Sequence, residues 1–258
     1  MARKHPARDR NFDDLTPRFQ RNIYNTLKGQ LRLAVLRRDF SEHIPAGNLR
    51  ILDVGAGQGQ FALELARQGH RLTLTDISPR MLDDAQRTFA AATEVIASPE
   101  FCCCSLQTLA EHFHEPFDGL LCHAVAEWLE SPETLLAYLL PHIKPGGFLS
   151  IIFYNRHGLV FKNLLRTNFA KVSAGDVRGA RGSLTPLNPL EPDQVRVWFS
   201  SAGLTMLCES GIRVFHDYIL DDALRKQQGE ALVEQELVFS RQMPFRDLGR
   251  YMHFLARV

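Results

Sequence analysis

The sequence predicts an α/β fold: a doubly wound, mainly parallel sheet with flanking helices. Three observations predict it. The apolar run Leu49-Arg50-Ile51-Leu52 feeds directly into Asp53-Val54-Gly55-Ala56-Gly57-Gln58-Gly59, a strand entering a glycine-rich turn that opens a helix near residue 59. Strand-like and helix-like segments then alternate at βαβ intervals. An acid, Asp76, closes the second strand 21 residues beyond Gly55, where such sheets hold the ribose of a nucleoside ligand.

Residues 12–43 carry Leu15, Phe19, Ile23, Tyr24, Leu27, Leu31, Val35 and Leu36, largely spaced by three and four. This is a helical lead-in with one apolar face, expected to break near Pro17 and Gly29. Residues 51–54 form the first strand and 61–67 the first helix, with Gly69 at a cap position. Residues 71–75 alternate into the second strand. Ser78-Pro79 caps the next helix and presets its first turn, and that helix runs to about residue 91. A strand at 101–104, a short helix at 109–112, a strand at 117–123 and a helix at 133–140 follow. Pro145-Gly146-Gly147 turns the chain into a strand at 148–154. Residues 154–191 break the rhythm: a helical segment at 157–169 gives way to Gly175, Gly179, Gly182 and three prolines by Pro192. A helix at 193–201, strand-like runs at 204–209 and 211–215, an acidic helix at 221–239 and a strand at 251–257 complete the pattern. The expected organisation is one domain, 1–258. It comprises a lead-in (1–48), a nucleoside-binding core (49–154), a loop-rich, basic, substrate-side insertion (155–192) and a segment completing the sheet (193–258).

With 258 residues, 45% hydrophobic and 23% charged, the chain can bury a substantial core and is not a disordered polymer. No apolar stretch approaches the roughly 18 residues of a membrane span, and the basic start lacks the apolar core of a signal peptide. A cytoplasmic protein with no membrane association is therefore expected. Five cysteines, at 102, 103, 104, 122 and 208, form no disulfide pattern. The adjacent three lie in a strand, where neighbours point to opposite faces and cannot chelate one ion together, so reduced thiols and no metal are expected. The net charge of +1 hides a segregation. Residues 1–38 hold ten Lys or Arg against three Asp, and residues 156–190 hold six against Asp176 alone. Two basic segments that met in space would suit a polyanion, although solvated charged faces are the ordinary reading.

A carboxylate at Asp76 can bind the ribose of NAD or of S-adenosyl-L-methionine, and its spacing does not choose between them. Two local features do. The motif begins with an acid, Asp53, which has no place beside two phosphates but suits the ammonium of a methionine moiety. A pyrophosphate-binding turn usually begins with glycine instead.

Asp53 to Gly59, Asp76, Phe117-Asp118 and Pro145-Gly146-Gly147 are together similar to the marks of the seven-stranded class I S-adenosylmethionine-dependent methyltransferases, with a Rossmann-like sheet. That likeness spans residues 49–154. A closer one lies outside it. The stretches Arg10-Asn11-Phe12-Asp13-Asp14, Arg21-Asn22-Ile23-Tyr24, Lys28-Gly29-Gln30-Leu31-Arg32, His123-Ala124-Val125-Ala126-Glu127-Trp128, Phe153-Tyr154-Asn155-Arg156-His157-Gly158, Arg213-Val214-Phe215-His216-Asp217-Tyr218 and Leu248-Gly249-Arg250-Tyr251 resemble the tRNA 5-carboxymethoxyuridine methyltransferases. The resemblance implies methyl esterification of an oxyacetate group on a wobble uridine, with tRNA as partner and no obligate protein partner. It also implies cofactor contacts at Arg32, Gly55, Ala56, Asp76, Leu106, Gln107 and His123, beside Asp53 and Gly57 from the motif. Arg32 would pair with the methionine carboxylate, for which Lys is a poor substitute. Ala56 stands at the family's second glycine position.

An oxyacetate is ionised near neutral pH, so no general base is required. Alignment and controlled desolvation carry the reaction. Residues expected to hold the substrate carboxylate are Arg213, His216 and Tyr218 near one strand end, and Tyr154, Asn155 and His157 near another. RNA contacts are expected from Arg18, Arg21, Arg156, Lys162, Arg166, Lys171, Arg178 and Arg181, while Phe161, Phe169 and Trp198 are either base-stacking or packing residues. Two alternatives stay open: a small-molecule carboxyl or hydroxyl methyltransferase on the same fold, and a non-enzymatic RNA-binding protein.

Overall fold

The computed structural model describes residues 26–95, 97–175, 186, 188–219, 221, 223–224 and 229–258. Its strands are β1 Arg50–Val54, β2 Arg71–Asp76, β3 Glu100–Cys103, β4 Phe117–His123, β5 Ile143–Tyr154, β6 Thr205–Ile212 and β7 Tyr251–Arg257. The helices are α1 Leu27–His43, α2 Gln60–Arg67, α3 Pro79–Ala90, α4 Leu109–His112, α5 Leu135–Leu139, α6 Arg156–Leu165, α7 Phe169–Ser173, α8 Pro192–Ser201 and α9 Gly229–Phe239. The strands make one sheet in the order β3-β2-β1-β4-β5-β7-β6. β1 to β5 are parallel, and β7 runs antiparallel to both neighbours.

Because the sheet is buried on both faces, its strands are nearly continuous apolar runs, and their period of two sorts side chains between two cores. Leu52, Leu120, Leu149 and Phe254 join one core with α4, α5 and α8. Ile51, Leu121, Ile152 and Leu255 join the other with α1, α2 and α3. Each such side chain contributes ~1.5–3 kcal/mol by leaving water. The same alternation puts Asp53, Ser150 and His253 on the second face, a fact that shapes the site below.

Strand order reverses between β1 and β4, and the crossovers diverging there leave a crevice beyond the strand ends. Asp53 and His123 stand at that point, where Val54 pairs with Cys122.

Several boundaries differ from the sequence reading. Gly29 does not interrupt α1; it is buried within it, and it lines the crevice. Pro145-Gly146-Gly147 lies inside β5, because Ile143 already pairs with Phe117 before the register shifts. The runs 204–209 and 211–215 are one strand, β6, ended at Arg213, whose φ is +60°. The helix expected at 157–169 stops at Leu165, and Thr167 at φ +58° separates it from α7. Residues 133–140 form α5 flanked by tighter turns at Pro132–Thr134 and Leu140–His142. Of the acidic helix, residues 229–239 form α9 and residues 223–224 are also helical, and Pro17 lies outside the described residues.

Candidate active site

The turn after β1 is fixed by backbone geometry before any ligand is considered. Gly55 has φ +68°, and a Cβ there would lie 2.4 Å from Cγ2 of Val125. Gly59, at φ +67°, is the N-cap of α2, so that the helix directs its first N–H groups toward the crevice. The N–H of Ala56 donates to the Thr75 carbonyl at 2.9 Å. Asp76 accepts from the N–H groups of Gly57 and Ser78, each at 2.9 Å. Turn and acid therefore position each other.

A cavity of about 360 Å³ opens above this turn, within the size range of small-molecule sites. Arg32, Asp53, Gly55, Ala56, Gly57, Asp76, Leu106, Gln107 and His123 all line it. So do Met81, Glu127, Trp128 and Tyr251, which sequence reasoning did not single out. Glu127-Trp128 belongs to a stretch that carried the resemblance, but its burial is a tertiary property.

The wall is acidic. Burial pushes Asp53 up to about 7, eased by Arg32 and reinforced by Asp76. Burial also takes Glu127 to about 7, against bonds from backbone N–H groups and the charge of Arg32. Its Oε2 has no partner among the described residues. Three carboxyl groups facing one guanidinium suit a ligand that carries a sulfonium and an ammonium and has a single carboxylate for Arg32. They oppose a pyrophosphate.

His123 is held by a buried chain of polar groups. Its Nε2 lies 2.8 Å from Oγ of Ser150, which lies 2.9 Å from Nε2 of His253. Nδ1 of His253 is 2.7 Å from Asp39. Although burial opposes it, the bond and charge of His253 and the charge of Arg38 hold the Asp39 carboxyl well below its usual value. Burial, with Arg32 and His253 nearby, drives His123 well below its ordinary range, so the ring is neutral.

The residues expected at the substrate carboxylate separate into two groups. Asn155 belongs to the framework: its oxygen accepts from the His157 N–H, and its amide donates to the carbonyls of Asp247 and Gly249. Tyr218 donates its hydroxyl to the Leu248 carbonyl at 2.6 Å. His216 is buried with Nδ1 2.9 Å from Asp217. All three make bonds within the fold. His157 is half-buried in the first turn of α6. Tyr154 is buried with no partner for its hydroxyl among the described residues. Arg213 faces Asp217 at 3.6 Å.

Among the expected RNA contacts, Arg166 is exposed and Lys171 half-buried. Arg156 pairs with Glu191 at 3.2 Å. Lys162 turns inward, 3.7 Å from Asp217. Arg18, Arg21, Arg178 and Arg181 lie outside the described residues. Phe161 packs edge-on against Tyr218, Trp198 packs on the core, and Phe169 is exposed.

Cys103 points away, but Cys102 and Cys104 share a face, and with His112 their ligand atoms lie within 4.8 Å of one another. No described helix is long and apolar enough to cross a membrane.

Fold and cavity together define a class I S-adenosylmethionine-dependent methyltransferase. The methyltransferase domain family matches residues 52–151. The magnesium protoporphyrin IX methyltransferase of Synechocystis PCC 6803, solved with bound S-adenosylhomocysteine, shares the fold at TM-score 0.62 and 14% identity, over 95% of each chain. The chain is 42% identical over 252 residues to the tRNA 5-carboxymethoxyuridine methyltransferase of Escherichia coli (strain K12), covering 96% of both. It belongs to that enzyme's family. The ubiquinone biosynthesis O-methyltransferase of Xylella fastidiosa (strain 9a5c) is similar at 27% over 181 residues, 69% of this chain and 70% of that one.

Proposed function

We propose that this protein forms the methyl ester of 5-carboxymethoxyuridine at the wobble position of tRNA, using S-adenosylmethionine. The carrying observation is the 42% identity to the Escherichia coli enzyme along 96% of both chains, far beyond the core shared with other methyltransferases. The residues that would hold the cofactor are Asp76 at the ribose, Arg32 at the methionine carboxylate, Asp53 near the ammonium, and Leu106 and Gln107 at the adenine. Bound there, it supplies an electrophilic methyl group.

The acceptor carboxylate is already ionised, so the site has to align and desolvate it rather than remove a proton. The neutral His123 fits this requirement. The exposed Arg166, with Lys171, supports a phosphate-contacting face beside α6 and α7, and an anticodon loop offers an unstacked base at low cost. A cytoplasmic location follows from a tRNA substrate.

The test is to supply labelled S-adenosylmethionine with tRNA that contains the oxyacetate uridine, beside tRNA that lacks it. One added methyl, lost on mild alkaline hydrolysis, is expected only in the first. Equal labelling of both would point to base or ribose methylation, and turnover of small carboxylic acids without RNA would point to the small-molecule alternative.

A further inference from the structure

We propose that Lys162, Arg213 and Arg250, together with the hydroxyl of Tyr154, form the receptor for the carboxylate of the methyl acceptor. This rests on the esterification reading above. The three cations share one oxygen, Oδ2 of Asp217, at 3.7, 3.6 and 3.4 Å. None of these is a close charge-assisted bond, which would measure about 2.7–2.9 Å. Elsewhere in the same fold Arg196 reaches Asp193, Glu209 and Asp247 at 2.6, 2.8 and 2.9 Å. The cluster is thus loosely satisfied where a neighbouring arginine is tightly satisfied.

Its charge does not balance. The other oxygen of Asp217 takes His216, and the next acid, Glu236, accepts from the N–H groups of Val214, Phe215 and His216. Three cations therefore face one carboxylate. Burial, with Arg250, Arg166 and Arg213 working against Asp217, brings Lys162 down to about 8, as a positive surplus would. Nη1 of Arg250 and the Tyr154 hydroxyl are both buried with no partner among the described residues. Unmatched buried donors are costly, and a bound anion removes that cost.

The position fits the chemistry. The Arg250 guanidinium lies over the Tyr154 ring at 4.9 Å, and Arg213 lies over Tyr251 at 5.3 Å. The same Tyr251 ring has Arg32 over it at 6.0 Å and lines the cofactor cavity. One aromatic ring thus separates the guanidinium suited to the methionine carboxylate from those suited to the acceptor. Several donors spread around one anion can hold it while leaving an oxygen edge open for attack.

The probes are the nucleoside 5-carboxymethoxyuridine and its methyl ester, titrated calorimetrically into the full chain loaded with S-adenosylhomocysteine. Wild type should prefer the acid. Tyr154→Phe should keep the melting temperature and the S-adenosylhomocysteine affinity, since it removes an unpartnered hydroxyl. It should nonetheless lower the acid-over-ester preference and raise KM for modified tRNA about tenfold. Arg250→Gln should lower kcat/KM about a hundredfold, with Arg250→Lys between it and wild type. If Arg250→Gln does not fold, Tyr154→Phe decides. Wild-type preference in both folded variants would overturn the receptor while leaving esterification of tRNA intact. A wild type that fails to esterify tRNA yet prefers the acid probe through Arg250 and Tyr154 would keep the receptor and overturn the tRNA reading.

Discussion

Oγ of Ser150 stands 2.8 Å from Nε2 of His123, so a histidine of the cofactor cavity takes its polarity from the core of the sheet. Ionised Asp39 accepts from Nδ1–H of His253. Through His253 and Ser150 one buried chain of hydrogen bonds links His123 to that carboxylate. Ser150→Ala should break the chain, cost about 1–2 kcal/mol of stability and weaken S-adenosylmethionine binding several-fold. Thermal melts and calorimetry check both. The imidazole nitrogen shifts of His123 should move in the variant, and an unchanged spectrum would contradict the link through Ser150.

Gly55→Ala should nearly abolish cofactor binding. The new methyl would lie 2.4 Å from Val125, and a non-glycine residue at φ +68° adds strain of about 1–3 kcal/mol. Adding Val125→Ala removes the clash but not the strain. Partial recovery of affinity by equilibrium binding is therefore expected in the double variant.

The two raised acids make binding depend on pH. Asp53 and Glu127, near 7 in the folded chain against about 4 when unfolded, keep their protons in the fold where the unfolded chain has lost them. Stability of the ligand-free protein should thus fall as pH rises from about 4 to 7. A sulfonium in the cavity favours the ionised acids, so S-adenosylmethionine should bind more tightly as pH rises through 7, releasing protons. S-adenosylhomocysteine, without the extra charge, should gain less. Calorimetry in buffers of different ionisation enthalpy measures the released protons, and equal pH profiles for the two ligands would count against this charge pairing.

Arg166→Gln with Lys171→Gln should raise KM for tRNA a few-fold and flatten its dependence on salt by about 0.7 in log–log slope per lost contact. Affinity for S-adenosylmethionine should not move. Filter binding across a salt series is the measurement.

The first half of the fold was legible because its signals are local. Asp53 to Gly59, the Ser78-Pro79 cap and the apolar strand runs each act within a few residues. The single strand β6 was read as two runs, the second opening at Gly211. In fact the backbone of Arg246 approaches it so closely that a Cβ would lie 2.3 Å from that carbonyl, an approach between residues distant in sequence. Asn155 was legible only as a polar group near a strand end, whereas its side chain caps the helix it precedes by accepting from the His157 N–H. Arg250 and Lys162 were not readable as partners of Asp217, since only the insertion of β7 between β5 and β6 brings β7's leading residue and α6 together. Glu127 was hidden for the same reason: its sequence context is ordinary, and only burial makes it titrate near 7.

The strand β7 enters the sheet between two strands that precede it in the chain. β6 pairs with β7 alone, so it has no strand partner until residues 251–257 fill the slot beside β5. Tyr251 and His253 ride on that strand, and Arg250 leads into it. A nascent chain thus lacks one wall of the methyl-donor cavity, the inner end of the histidine chain and the proposed anion receptor all together. The donor cavity, the histidine chain and the receptor thus depend on one strand and form together.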